Sequence, residues 1–240
     1  MSRGKYVVTA LAGLVLGGAA MALATGQAPA ADPERARIEQ IVRDYILENP
    51  EIIPEAIQRL QQREVGKAID QNRAALETPF AGAWAGAADG DVVLVEFYDY
   101  ACGYCRRSIA DVDRLLAEDK KLKVVYRELP VLGDDSMTAA LSSLAAAQAG
   151  QASFRTFYHE LFKAGSPDAA AVAAARAAAS SPAPPAQMPD LQAEIDKNFE
   201  LARTLGANGT PLFVVGDQVF QGAVGYDALK QAIAEVRARK

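Results

Sequence analysis

Histidine is almost missing from this sequence, with His159 alone among 240 residues, and cysteine occurs only at Cys102 and Cys105. A zinc site takes about four ligands, which two cysteines and one distant histidine do not supply. A covalent haem site needs histidine directly after the second cysteine of the pair, and Arg106 stands there. A disulfide framework is also excluded. The one possible bridge closes too short a loop to stabilise the fold much by chain entropy. The chain has no basic stripe and a formal net charge of −5, which makes it a poor nucleic-acid ligand. After Ala24 no stretch is apolar enough to span a bilayer.

The first thirty residues stand apart from the rest. Arg3 and Lys5 precede an uncharged run from Tyr6 to Ala24, and A-x-A sites follow at 22–24 and 28–30. That layout reads as a signal peptide over 1–30, with an uncleaved anchor as the alternative. Its removal takes the formal charge from −5 to −7 and leaves about 210 residues, ample for one domain and an appendage. Export places both thiols where a disulfide persists.

Residues 31–77 read as a helical arm. Ile38, Ile41, Val42, Tyr45 and Ile46 recur at helical spacing, as do Ile53, Ile57 and Leu60 beyond the break at Asn49-Pro50. Gln58 to Arg73 is polar, with Val65 and Ile69 its only large aliphatics. Such an arm lacks apolar surface for its own core and packs either on the main domain or on copies of itself. The expectation is an oligomerisation arm over 34–77. The small-residue stretch 78–90 reads as a linker. The domain over 91–240 then runs strand (92–97), helix (102–118), strand (122–128), a helical insert over about 134–205, two strands joined by Gly216-Asp217, and a closing helix from Tyr226. The proline-rich run 180–189 reads as a loop. The fold class is α/β.

Cys102 and Cys105 follow a buried strand and open a helix, a spacing that reads as a redox site. The helix N-terminus favours thiolate at Cys102, which makes it the attacking thiol, and Cys105 is placed to resolve the mixed disulfide. An inert thiol pair or disulfide is the bland alternative. Glu96 interrupts the strand below, where a lone buried carboxylate has a raised pKa and can relay a proton to Cys105. Its alternative is a strand residue facing a polar pocket or a lysine. Thr210-Pro211 suits a cis turn that leaves the Thr210 backbone free for an extended substrate, with a plain trans turn equally compatible.

The run Glu96-Phe97-Tyr98-Asp99-Tyr100-Ala101-Cys102-Gly103-Tyr104-Cys105, with Thr210-Pro211 and the helical insert, resembles the DsbA-like thiol–disulfide oxidoreductases of the thioredoxin superfamily, exported by Gram-negative bacteria. The arm from Arg37 to Ile53 is similar to the N-terminal segment of the suppressor-of-copper-sensitivity C and Com1-type proteins, some of which trimerise through it and act as disulfide isomerases. Gly103-Tyr104 matches the dipeptide of the isomerase DsbC, and threonine before the proline looks like the isomerase and reductase pattern. The resemblance implies a thioredoxin fold and a periplasmic location. It implies a redox-active Cys102–Cys105 disulfide, with Glu96 as proton relay and Gly103, Tyr104, Thr210 and Pro211 at the client. No cofactor and no metal are implied. The implied partners are cysteine-containing exported clients, a membrane-bound thiol reductase and further copies of the chain in a homotrimer or other homo-oligomer. A quinone-coupled oxidase partner, with net oxidation, and a Cu(I)-handling thiol protein are the rival readings. The Ala- and Pro-rich run 168–189 departs from the family pattern.

Overall fold

The computed structural model describes residues 32–184 and 188–239. The segment read as a signal peptide and part of the proline-rich loop lie outside them. Two compact units divide the chain, one ending at Ile57 and the other beginning at Gln58.

In the first unit, α1 (Pro33–Glu48) starts behind Asp32, whose side chain accepts the Glu34 amide at 3.1 Å, and Pro33 loses nothing at a position without an intrahelical partner. Pro50 stops it, because the residue before a proline is pushed out of helical backbone. The next helix, α2 (Ile52–Glu77), takes Pro54 in its first turn. No residue of α1 is buried. Ile38, Ile41, Val42, Tyr45, Ile53 and Ile57 all stand exposed among the described residues, at helical spacing within each of the two helices.

The second unit is built on a five-stranded sheet in the order β1-β3-β2-β4-β5. The strands are β1 (Trp84–Gly86), β2 (Val92–Tyr98), β3 (Leu122–Glu128), β4 (Leu212–Val215) and β5 (Gln218–Gln221). β2 and β3 run parallel, joined through α3 (Gly103–Glu118), while the other neighbours pair antiparallel. α4 (Asp134–Gln148), α5 (Gln151–Ala164), α6 (Ala169–Ala178) and α7 (Pro189–Thr204) form the insert, and α8 (Tyr226–Ala238) closes the chain. α6 is capped by Asp168, which accepts the Ala171 amide, and Val172 and Ala175 dock it on the core.

The alternation along β2 divides the core. Val92, Leu94 and Tyr98 face a cluster with α3, α5 and α8, whereas Val95 and Phe97 face Ile69 and Leu76 of α2 and Leu201 and Leu205 beside α7. Ile69 and Leu76 are completely covered. The distal half of α2 is therefore part of the domain, whereas the expected arm ran over all of 34–77. Two aliphatics seven residues apart were enough, because they meet Val95, Phe97, Val125, Leu212 and Val214 on the sheet.

Residues 78–90 are likewise packed within the domain. Trp84, Ala85 and Gly86 pair with Val125, Val124 and Lys123. The glycines here are close contacts: a Cβ on Gly82 would lie 2.5 Å from the Gln151 nitrogen, and one on Gly86 2.2 Å from the Leu122 carbonyl oxygen. Smallness that read as linker composition is a packing requirement.

Arg127 secures this arrangement. Its buried guanidinium donates to the Ala75, Leu76 and Thr78 carbonyls at the end of α2, to Glu194 at 2.8 Å and to Asn198 at 2.9 Å. The last carbonyls of a helix have no intrahelical donors and carry partial negative charge, so one cation satisfies several at once.

Candidate active site

β2 delivers its last residue, Tyr98, to a turn that ends at Cys102, the N-cap of α3. The Cys102 amide donates to the Asp99 carbonyl at 3.0 Å. Cys102 is 7% exposed, and Cys105, one turn into α3, is fully covered. Both are free thiols.

Their environments drive the two sulfurs apart. The Cys105 thiol, Thr210 and the Tyr104 and Cys105 backbone stabilise charge on Cys102 and outweigh its desolvation, which brings its pKa down to about 5. Burial, the neighbouring Cys102 and the Glu96 carboxyl push Cys105 far up. At neutral pH the pair is thus one thiolate and one thiol, a nucleophile and its proton-holding partner.

Glu96 sits on β2 with no exposed surface, and desolvation raises its pKa to about 8. The Tyr158 hydroxyl donates to its Oε2 at 3.4 Å, and Oε1 has no protein partner among the described residues. Among the described residues the Tyr158 hydroxyl, and no lysine, bonds its side chain. The residue matters here because its ionisation falls near neutral pH, where a group gives and takes protons most readily.

The Thr210–Pro211 peptide is cis. It brings the Thr210 carbonyl to 3.3 Å from Cys102 Sγ, a hydrogen bond that Cys102 donates in its protonated thiol form. Gly103 opens α3, where a Cβ would meet nothing. Tyr104 is 59% exposed and lies under the Arg107 guanidinium, 4.1 Å from ring centroid to Cζ. Six of the seven residues singled out from sequence, Glu96, Cys102, Gly103, Tyr104, Cys105 and Thr210, thus gather at or beneath the start of α3, and Pro211 follows directly on Thr210.

Sequence reading missed the cleft beside them. Cys102 and Thr210 line an open cleft of about 580 Å³ whose walls include Leu129, Val131, Leu132 and Phe199. These residues come from the loop after β3 and from α7, so no local motif announces them. A second buried acid was missed as well. Glu128 is held up to about 8 by desolvation and accepts the Tyr98 hydroxyl. The pairing of Tyr98 with Glu128 across β2 and β3 is the geometry that joins them.

Comparison with known proteins agrees with this fold. The family model described as thioredoxin matches residues 80–235, and that of the copper resistance protein ScsC N-terminal domain matches 34–65. Among solved structures, a linker-deletion variant of ScsC from Proteus mirabilis is 29% identical, with a TM-score of 0.70, and the match covers 89% of this chain and 100% of that one. A thioredoxin-like oxidoreductase from Silicibacter pomeroyi DSS-3 is 36% identical over 70% of this chain and 98% of its own, with a TM-score of 0.64. A periplasmic thioredoxin-like protein from Salmonella enterica serovar Typhimurium is 27% identical over 69% and 95%, also at 0.64. No curated protein matches.

Proposed function

We propose, on the premise that this chain belongs to the thioredoxin family, as the match over residues 80–235 establishes, that it is a periplasmic protein disulfide isomerase or reductase. The family places it among thiol–disulfide oxidoreductases. The direction of exchange, the compartment and the assembly are our reading. The observation that carries it is a thiolate-forming Cys102 beside a covered thiol, opening on a cleft and a main-chain carbonyl.

The Cys102 thiolate attacks one sulfur of a client disulfide. A Cys102–client bond forms, the client S–S bond breaks, and the released client sulfur takes a proton from solvent. A second client thiolate then displaces Cys102, which leaves a rearranged disulfide and no net oxidation. Where no client thiol arrives, Cys105 loses its proton and attacks Cys102. The client leaves reduced, and the Cys102–Cys105 disulfide holds the oxidising equivalents until a membrane-bound thiol reductase removes them. Glu96 in its ionised form accepts the Cys105 proton, and in its neutral form returns it when the disulfide opens. A pKa near 8 populates both forms at neutral pH.

The exposed stripe of the first unit supports assembly. Large apolar side chains exposed along α1 and the first turns of α2 are a docking face for further copies, which would set several Cys102 thiolates around one misfolded client.

Refolding of a scrambled-disulfide protein tests the reading, with the full chain and with a form lacking residues 34–57. The full chain is expected to restore native disulfides and the shortened one to lose most of that activity. Equal activity would refute the role of the arm. Rapid oxidation of a reduced client, with no rescue of scrambled disulfides, would establish net oxidation instead.

A further inference from the structure

Asp99 fills its carboxylate completely without touching either sulfur through its side chain. Oδ1 accepts the Ala101 amide at 2.8 Å and the Ser136 hydroxyl at 2.6 Å, while Oδ2 accepts the amides of Val131 at 2.8 Å and Leu132 at 2.9 Å. An ionised carboxylate offers about four acceptor positions, and three separate segments occupy them. These are the turn entering α3, the loop after β3 and the first turn of α4. Charged hydrogen bonds of this kind are stronger than neutral ones, and Asp99 is 99% removed from the solvent that would compete for them.

The loop it holds is one wall of the cleft. Val131 and Leu132 are 44% and 55% exposed, so burial of their side chains does little to fix them. Their amides nevertheless both converge on one oxygen of Asp99. The same carboxylate grips Ala101, the neighbour of Cys102. The apolar lip and the nucleophile are therefore referenced to a single buried anchor.

We propose that Asp99 is a positioning residue that determines client specificity, an inference that rests on the function proposed above. It holds the Val131–Leu132 lip at a set distance from Cys102. The cleft then accepts an extended segment by an apolar side chain flanking the client's cysteine. Asparagine cannot replace it, since its amide nitrogen would face N–H or O–H donors where an oxygen is required.

The test compares two substrates, a disulfide-linked peptide with leucine or phenylalanine beside its cysteine and hydroxyethyl disulfide, which is too small to reach the lip. The quantity read is the ratio of the two second-order rate constants. Asp99→Asn is expected to lower this ratio about tenfold, the effect of losing roughly one charged hydrogen bond, with the loss lying in KM for the peptide. Val131→Ser with Leu132→Ser should lower it similarly. Ser136→Ala, which deletes only a hydroxyl and tests the anchor should Asp99→Asn fold poorly, should lower it about threefold. Equal losses on both substrates would overturn the proposal, since Asp99 would then serve stability or the nucleophile. So would a response to the lip substitutions with none to Ser136→Ala. Failure of the unaltered chain to react with hydroxyethyl disulfide would instead refute the proposed function.

Discussion

Replacing Glu96 by Gln should make the reduced protein progressively more stable, relative to the parent, as pH rises. The carboxyl has a pKa of about 8 when folded against a usual 4.5. Between those values the folded state binds more protons than the unfolded state. The sign follows directly: stability present below pH 4.5 is lost as pH climbs, until the loss is complete above pH 8. At 1.36 kcal/mol per pKa unit, the parent has lost about 1 kcal/mol at pH 5, about 3 at pH 7 and about 5 above pH 8. Glutamine does not titrate, and its oxygen can still accept from Tyr158. Any fixed cost of burying its amide is the same at every pH, and Glu128 titrates alike in both proteins. The difference in unfolding free energy between variant and parent should therefore rise by about 2.5 kcal/mol from pH 5 to pH 7. Urea denaturation at a series of pH values measures it. A difference that does not move with pH would refute the placement of a neutral carboxyl under the thiols. The same variant should exchange disulfides more slowly, because amide cannot carry the proton.

Thiolate absorbance of the reduced protein should titrate with one midpoint near pH 5, assigned to Cys102, and Cys105→Ala should raise it, since the Cys105 thiol is the largest stabiliser of that charge. Arg127→Met should cost about 3–5 kcal/mol by denaturation, as it leaves Glu194 and the α2 carbonyls without their buried cation. Ile69→Ala, in the docked half of α2, should cost about 2–5 kcal/mol. Ile41→Ser, in the exposed stripe, should leave the melting of the 58–240 unit nearly unchanged and lower the mass measured by light scattering.

Periodicity and local chemistry carried most of the fold. The buried strands, most of the insert helices and the closing helix are legible because each has a pattern of its own, of period two or of 3.6 residues, while α6 is nearly all alanine and has no such period. The thiol pair and Glu96 were legible for a similar reason: an acid inside an apolar strand and a C-x-x-C after it are anomalies within one short stretch. β1 was not, because the three residues Trp84, Ala85 and Gly86 acquire strand character only from the main chain of β3 opposite. The docking of α2 was not, because Ile69 and Leu76 say nothing about which surface will cover them. Sequence by itself thus singled out the residues proposed to do the chemistry. Only tertiary structure decided their state, and it did so by desolvation and by partners distant in the chain. Burial lifts Glu96 to about 8, Thr210 meets Cys102 across the sheet's end, and Asp99 joins three segments through one carboxylate. These are properties of neighbours, and neighbours exist only once the chain has folded.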